Sequence, residues 1–222
     1  MSKPITALAL LSALSAAGCL GSLGGSLPAV ELYRIAPVHA DSASERGPAV
    51  TPGTVRGSIA ITRYDTPGIY SGHGIVYRVE QSGYGVYPNR EWAIPLGEML
   101  GSLTEGLLSG APLSAERAVY APPSMRAFTY SWRGTVKEFE EVDRGKAVFA
   151  AVALEARLVR TSDDSVVWQA TRRVEQAVPE STMPAIVNAL SALARQAISE
   201  LSADARMTVG RLGAGSPTGT HR

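Results

Sequence analysis

Cysteine occurs once in the 222 residues, at Cys19, and histidine three times, at His39, His73 and His221. A single thiol excludes disulfides within the chain and any metal site built on several cysteines. The histidines stand far apart, with no HExxH pattern, nucleophile elbow or strand-following phosphate loop beside them. Charge of one sign is also missing, since 21 Lys and Arg stand against 20 Asp and Glu. A phosphate-backbone partner calls for a basic face, so no nucleic acid is expected as a partner. No apolar run reaches the roughly 20 residues of a membrane-spanning helix. What remains is one near-neutral domain of ordinary apolar content, 45%, with chain enough for a sizeable core.

The N-terminus is the most informative stretch. Lys3 precedes an apolar core from Ile5 to Leu14, and small residues then lead into Cys19, the layout of a secretory signal. Ala17, Gly18 and Cys19 fit the bacterial lipobox, so residues 1–18 are expected to be a signal peptide and Cys19 a lipidated anchor. Ordinary cleavage after Ser15-Ala16-Ala17 is the alternative and would leave a soluble protein. A thiol flanked by Gly18 and Gly21 belongs to no core element. Residues 19–29 form the anchor and a Gly/Ser tether, whose flexible part spans about 15 Å. Leu20, where Asp would favour inner-membrane retention, leans the anchor to the periplasmic side of the outer membrane, with the inner membrane left open.

From residue 30 onward the hydrophobic period assigns the elements. Val30 to Ile35 and Val55 to Thr62 alternate as strands, separated by a long loop at 38–54. Ile75 to Val79 and a stretch around Gly83 and Gly85 suggest a strand and a hairpin. Leu96, Met99, Leu100, Leu103 and Leu107 make a helical stripe ending at Gly110, more suited to core than to a lipid groove. Gly97, Gly101 and Gly106 weaken that helix by about 1 kcal/mol each relative to Ala, while their size allows close approach to a sheet. A short strand near Ala118–Tyr120 follows, then a three-strand meander over Phe128–Val142, Lys146–Arg160 and Val166–Ala177. In it a break is expected at Gly134 and a half-solvated second face on the middle strand. Ser181 or Thr182 can cap a last helix with Pro184 in its first turn. The expected fold class is α/β (α+β): a single two-layer domain over 30–204, with a mixed, largely antiparallel sheet and two amphipathic helices packed on one face. Residues 205–222 are expected to be a disordered tail.

Chemistry is sparse in this pattern. Ser71 and His73 sit two apart in a glycine turn without an orienting carboxylate, which favours a turn over a nucleophile pair. Glu138, Glu140, Glu141 and Asp143 are expected to line a solvated sheet edge that deters pairing. Five of the eight tyrosines fall between Tyr64 and Tyr87, a density that suits a partner surface and sheet packing equally. No catalytic residue, metal site or cofactor emerges, and the chain is not expected to be an enzyme.

Gly74-Ile75-Val76-Tyr77-Arg78, Tyr84-Gly85-Val86-Tyr87 and Trp92-Ala93-Ile94-Pro95 before the leucine helix resemble the ABC-type transport auxiliary lipoproteins. So do the first strand, Leu32-Tyr33-Arg34-Ile35-Ala36-Pro37, and in outline the meander and closing helix. The resemblance covers about Leu32 to Leu201. It implies a non-catalytic auxiliary lipoprotein of an ABC/MCE-type intermembrane lipid transport system. The implied partners are an MCE-domain protein, an ABC permease/ATPase complex and the membrane through the lipid anchor, with a homo-oligomer also allowed. Tyr77, Arg78, Tyr84, Tyr87, Trp92 and Pro95 are its partner-contact or family-motif positions. Two other roles stay open: a lipoprotein module assisting outer-membrane assembly, and a periplasmic hydrolase using His73.

Overall fold

A computed structural model describes residues 28–36, 57–79, 83–110, 113 and 116–214. Cys19, the tether up to Leu27, the 38–54 loop and residues 215–222 lie outside the described residues. The domain begins at Glu31. Its elements run β1 (Glu31–Tyr33), β2 (Ile59–Ile61), β3 (Gly74–Val79), β4 (Gly83–Trp92), α1 (Leu96–Gly110), β5 (Ala118–Tyr120), β6 (Tyr130–Arg144), β7 (Ala147–Arg160), β8 (Val166–Ala177) and α2 (Met183–Ala214). This is a single α+β domain of one mixed eight-stranded sheet and two helices.

The long strand β6 organises the sheet. One of its edges pairs antiparallel with β7, and β7 pairs antiparallel with β8. The other edge is shared. Its first residues pair parallel with β2, Ile59 opposite Tyr130, and its last pair parallel with β3, Val76 opposite Glu140. β5 then extends the β2 branch, while β4 and β1 extend the β3 branch. Hairpin turns are made where the chemistry permits positive φ: Gly145 (69°) between β6 and β7, and Asp164 (56°) between β7 and β8.

The two branches diverge beside Gly134, where the Asp65 backbone bridges to β6 and the Tyr64 ring lies over the glycine. A Cβ on Gly134 would lie 2.2 Å from that ring. Gly134 therefore does not break β6, contrary to the sequence expectation; it is the seat for an aromatic side chain from another segment. The register irregularity falls instead between Val136 and Glu138. Around Tyr64 a buried relay is fully satisfied. Trp132 Nε1 donates to the Tyr64 hydroxyl at 3.1 Å, that hydroxyl donates to Thr104 Oγ1 at 3.0 Å, and Thr104 donates to the Leu100 carbonyl. Such relays are worth keeping because a buried unpaired hydroxyl costs about 1–3 kcal/mol.

Leu96, Met99, Leu100 and Leu103 of α1 are buried as the stripe requires, but Leu108, at 2% exposure, replaces Leu107 at its end. In α2, Thr182 Oγ1 accepts the Ala185 N–H, and Ile186, Leu190, Leu193, Ala197 and Leu201 all enter the core. The helix continues to Ala214, past residue 204, where a tail was expected to start. Ala205 is still fully buried and Val209 packs against the core, so the apolar stripe outlasts the sequence boundary by about one turn. No helix among the described residues is long and apolar enough to cross a membrane.

β7 alternates as expected on its helix-facing side: Ala150, Val152, Leu154, Ala156 and Leu158 are all at 0% exposure. Its second face is less solvated than the pattern implied, because Ala151 and Ala153 are buried too. Ala153 sits between Glu138 on β6 and Arg173 on β8, whose side chains meet above it at 2.8 Å. The short Ala153 side chain leaves room beneath that bridge.

Candidate functional site

Five of the six residues that the family pattern singles out lie in the β3–β4 hairpin, but the pleat sends them to opposite faces. Arg78 lies opposite Tyr84 in the register and Tyr77 opposite Gly85. Arg78 and Tyr84 share the face away from the helices, with the guanidinium carbon 5.9 Å from the Tyr84 ring centre. Tyr77 packs against Tyr87 on the other face with the rings tilted by 51°, ring centres 4.8 Å apart. Gly85 is small for a reason: a Cβ there would lie 2.3 Å from the Tyr77 ring.

Trp92 and Pro95 have structural places. Trp92 is 2% exposed and packs edge-on against Phe139, ring centres 5.7 Å apart. The Pro95 carbonyl accepts the N–H groups of Glu98 and Met99 and opens α1. Of the six motif positions, Tyr84 is the most open to a partner, at 55% exposure.

Pattern reasoning missed the centre of this region. Glu140 and Glu141 do not line a solvated edge: β6 is paired on both sides, and the two residues are 0% and 6% exposed. Glu140 accepts Arg78 Nε at 2.5 Å and the Tyr70 hydroxyl, which reaches it from the 3₁₀ turn Gly68–Ser71. Glu141 accepts the Tyr87 hydroxyl at 2.6 Å. A run of acidic residues in one strand reads as solvated because sequence shows neither the flanking strands nor the donors. The tyrosine density between residues 64 and 87 was the available signal, since buried carboxylates need donors.

The electrostatics follow from this pairing. Burial, and then the Glu140 carboxylate it donates to, push the Tyr70 phenol well above its ordinary value. Burial and Glu141 do the same for Tyr87. Both tyrosines thus remain donors at any physiological pH. Burial pushes Glu141 up as well, with the Asp143 charge adding to it, while Tyr87 and Arg90 oppose the shift. For Arg78 the hydrogen bond to Glu140 favours the charged form.

Ser71 and His73 do not engage each other. Ser71 donates to the Gly68 carbonyl, and His73 Nδ1 lies 3.2 Å from the Trp92 carbonyl, to which it can only donate. Among the described residues no three metal-ligating side chains cluster. The arrangement is one of paired donors and acceptors that fix a hairpin to the central strand, leaving Tyr84 exposed on the helix-free face beside the largely buried Arg78.

Comparison with known proteins extends this. Residues 42–202 match the family described as "ABC-type transport auxiliary lipoprotein component". A solved Xanthomonas campestris protein of the DUF330 family is 20% identical with a TM-score of 0.67, covering 84% of this chain and all of its own. A second solved structure, of an uncharacterized protein, is 17% identical with a TM-score of 0.59 and covers 79% of this chain and 98% of its own. These likenesses show the fold. No curated protein matches the chain.

Proposed function

Because this chain belongs to the ABC-type transport auxiliary lipoprotein component family, we propose that it is a non-catalytic auxiliary subunit of an ABC/MCE-type intermembrane lipid transport system. Residues 1–18 are a signal peptide, Cys19 carries the lipid, and the domain that follows the tether is held at the periplasmic side of the outer membrane. The domain docks on an MCE-domain protein of the transporter assembly, with Tyr84 and Arg78 at the contact. Membership of the family across most of the domain is the observation that supports this role. The buried ties of Arg78, Tyr70 and Tyr87 to β6 suit it, because a surface held to the central strand is preorganised for a partner.

The test is in-envelope photocrosslinking from position 84 followed by purification of the adduct. An MCE-domain protein or its permease is expected in the adduct. Recovery of outer-membrane assembly factors, or of unrelated proteins alone, would overturn the proposal.

A further inference from the structure

Among the described residues β8 pairs with β7 alone, so the outer edge of this 12-residue strand is open, with a regular ladder from Trp168 to Ala177. The other two outermost strands, β1 and β5, have only 3 residues each. Long open edges are usually protected by proline, bulges or unneutralised charge. The stretch from Trp168 to Ala177 contains no proline and no register irregularity, the one irregularity of the β7–β8 pair lying at Val167, and its charges are already neutralised within the chain. Arg172 reaches Glu200 and Asp204 of α2, Arg173 binds Glu138 and Glu175, and Arg144 binds Glu175 through both oxygens. An approaching strand meets no bare charge here.

The backbone dictates which residues can pair outward. Val178 donates its N–H to the Val148 carbonyl, and the two are in register with the rest of the β7–β8 pair. Even-numbered residues of β8 therefore bond inward, and odd-numbered ones, Thr171, Arg173, Glu175 and Ala177, direct N–H and C=O to the open side. An antiparallel partner that is a second copy must place odd residues opposite odd residues, so a two-fold axis has to pass through a residue. The axis through Val174 sets Arg173 opposite Glu175 of the second copy, and Glu175 opposite its Arg173. It also sets Arg172 opposite Gln176. An axis through Arg173 or Glu175 would oppose like charges, and one through Thr171 leaves both without an opposite charge.

We infer that the outer edge of β8 is a homodimer interface, in which two copies pair antiparallel about Val174 and join their sheets into one. Self-pairing of this kind is isologous and closes at two copies. The inference does not depend on the transport role.

Cys19 is the one native thiol, so a Cys19→Ser background gives a clean reporter. The full chain with Cys19→Ser and Val174→Cys, oxidised in solution, is expected to run as a disulfide dimer, because a residue on the axis faces itself across a non-hydrogen-bonded pair with Cβ atoms about 4.5–5.5 Å apart. Thr171→Cys in the same background is expected to stay monomeric. In sedimentation, Arg173→Glu is expected to weaken the dimer at least tenfold, and Arg173→Glu with Glu175→Arg to restore it. A monomer from Val174→Cys, or equal crosslinking at Thr171→Cys, would overturn the inference. Unchanged melting of the Val174→Cys chain relative to its Cys19→Ser parent excludes a folding fault as the cause.

Discussion

At the scale of single residues, Glu140 is the position where the fold takes its largest electrostatic risk. Its carboxylate is fully buried and held by Arg78 and Tyr70. Removing one partner of a buried pair costs about 3–5 kcal/mol because a charge is stranded. Removing a neutral donor costs about 1–3 kcal/mol. Arg78→Met is therefore expected to lower the urea midpoint more than Tyr70→Phe does, with m unchanged in both. Arg78→Met with Glu140→Met should recover most of the loss, since an apolar replacement of a buried pair is often neutral. A Tyr70→Phe chain less stable than Arg78→Met would show that Arg78 is not the main counter-charge. Glu141 adds a dependence on pH. Its folded value is raised, chiefly by burial, from an ordinary value near 4.5, so the proton is bound more tightly in the folded state. Its stabilising contribution is complete below about pH 4.5 and is lost as pH rises through the raised value. Glu141→Gln keeps an acceptor for Tyr87 and removes that titration. The variant is expected to gain on the wild type at pH 7 and lose the advantage by pH 4, as read from unfolding midpoints across pH.

At the scale of elements, glycines decide more than propensity does. Gly101 lies inside α1, where Ala would improve helix propensity by about 1 kcal/mol. A Cβ there would lie 2.2 Å from the Tyr120 ring, and one on Gly97 2.2 Å from the Tyr64 carbonyl oxygen. Overpacking of this kind costs about 1–3 kcal/mol, so the steric term wins. Gly101→Ala and Gly134→Ala are both expected to destabilise, by chemical denaturation, and Tyr120→Ala is expected to turn Gly101→Ala from harmful to mildly favourable against that background. The same positions mark the limit of what pattern reveals. Helix stripes and the alternation of β7 are local periodicities, and they placed α1, β7, β8 and most of α2 correctly. The role of Gly134 depends on a ring 70 positions away in the chain, and the burial of Glu140 on strands that flank it in space. Neither leaves a local trace. Of the motif positions, Tyr77, Arg78, Tyr84 and Tyr87 were found together because they share one hairpin; Glu140 and Glu141 were visible only as an acidic run.

At the scale of the whole molecule, the sheet divides its duties by face and edge. One face takes both helices, the other carries charged networks and the Arg78–Tyr84 pair, and the core is drawn from Ile35 to Ala205. Cys19 precedes every described residue of that core, and its chemistry is expected to be separable from the stability of the domain. Stable membrane attachment takes more than one acyl chain, which a diacylglycerol thioether with an added acyl group on Cys19 would supply. Cys19→Ala is expected to abolish incorporation of labelled palmitate and to move the protein from the membrane to the soluble fraction. The melting curve of the domain is expected to stay unchanged. Palmitate label persisting in Cys19→Ala would place the acylation elsewhere. A wild-type chain that never takes the label and stays soluble would mean cleavage after Ala17, and the anchor would then have to come from a partner.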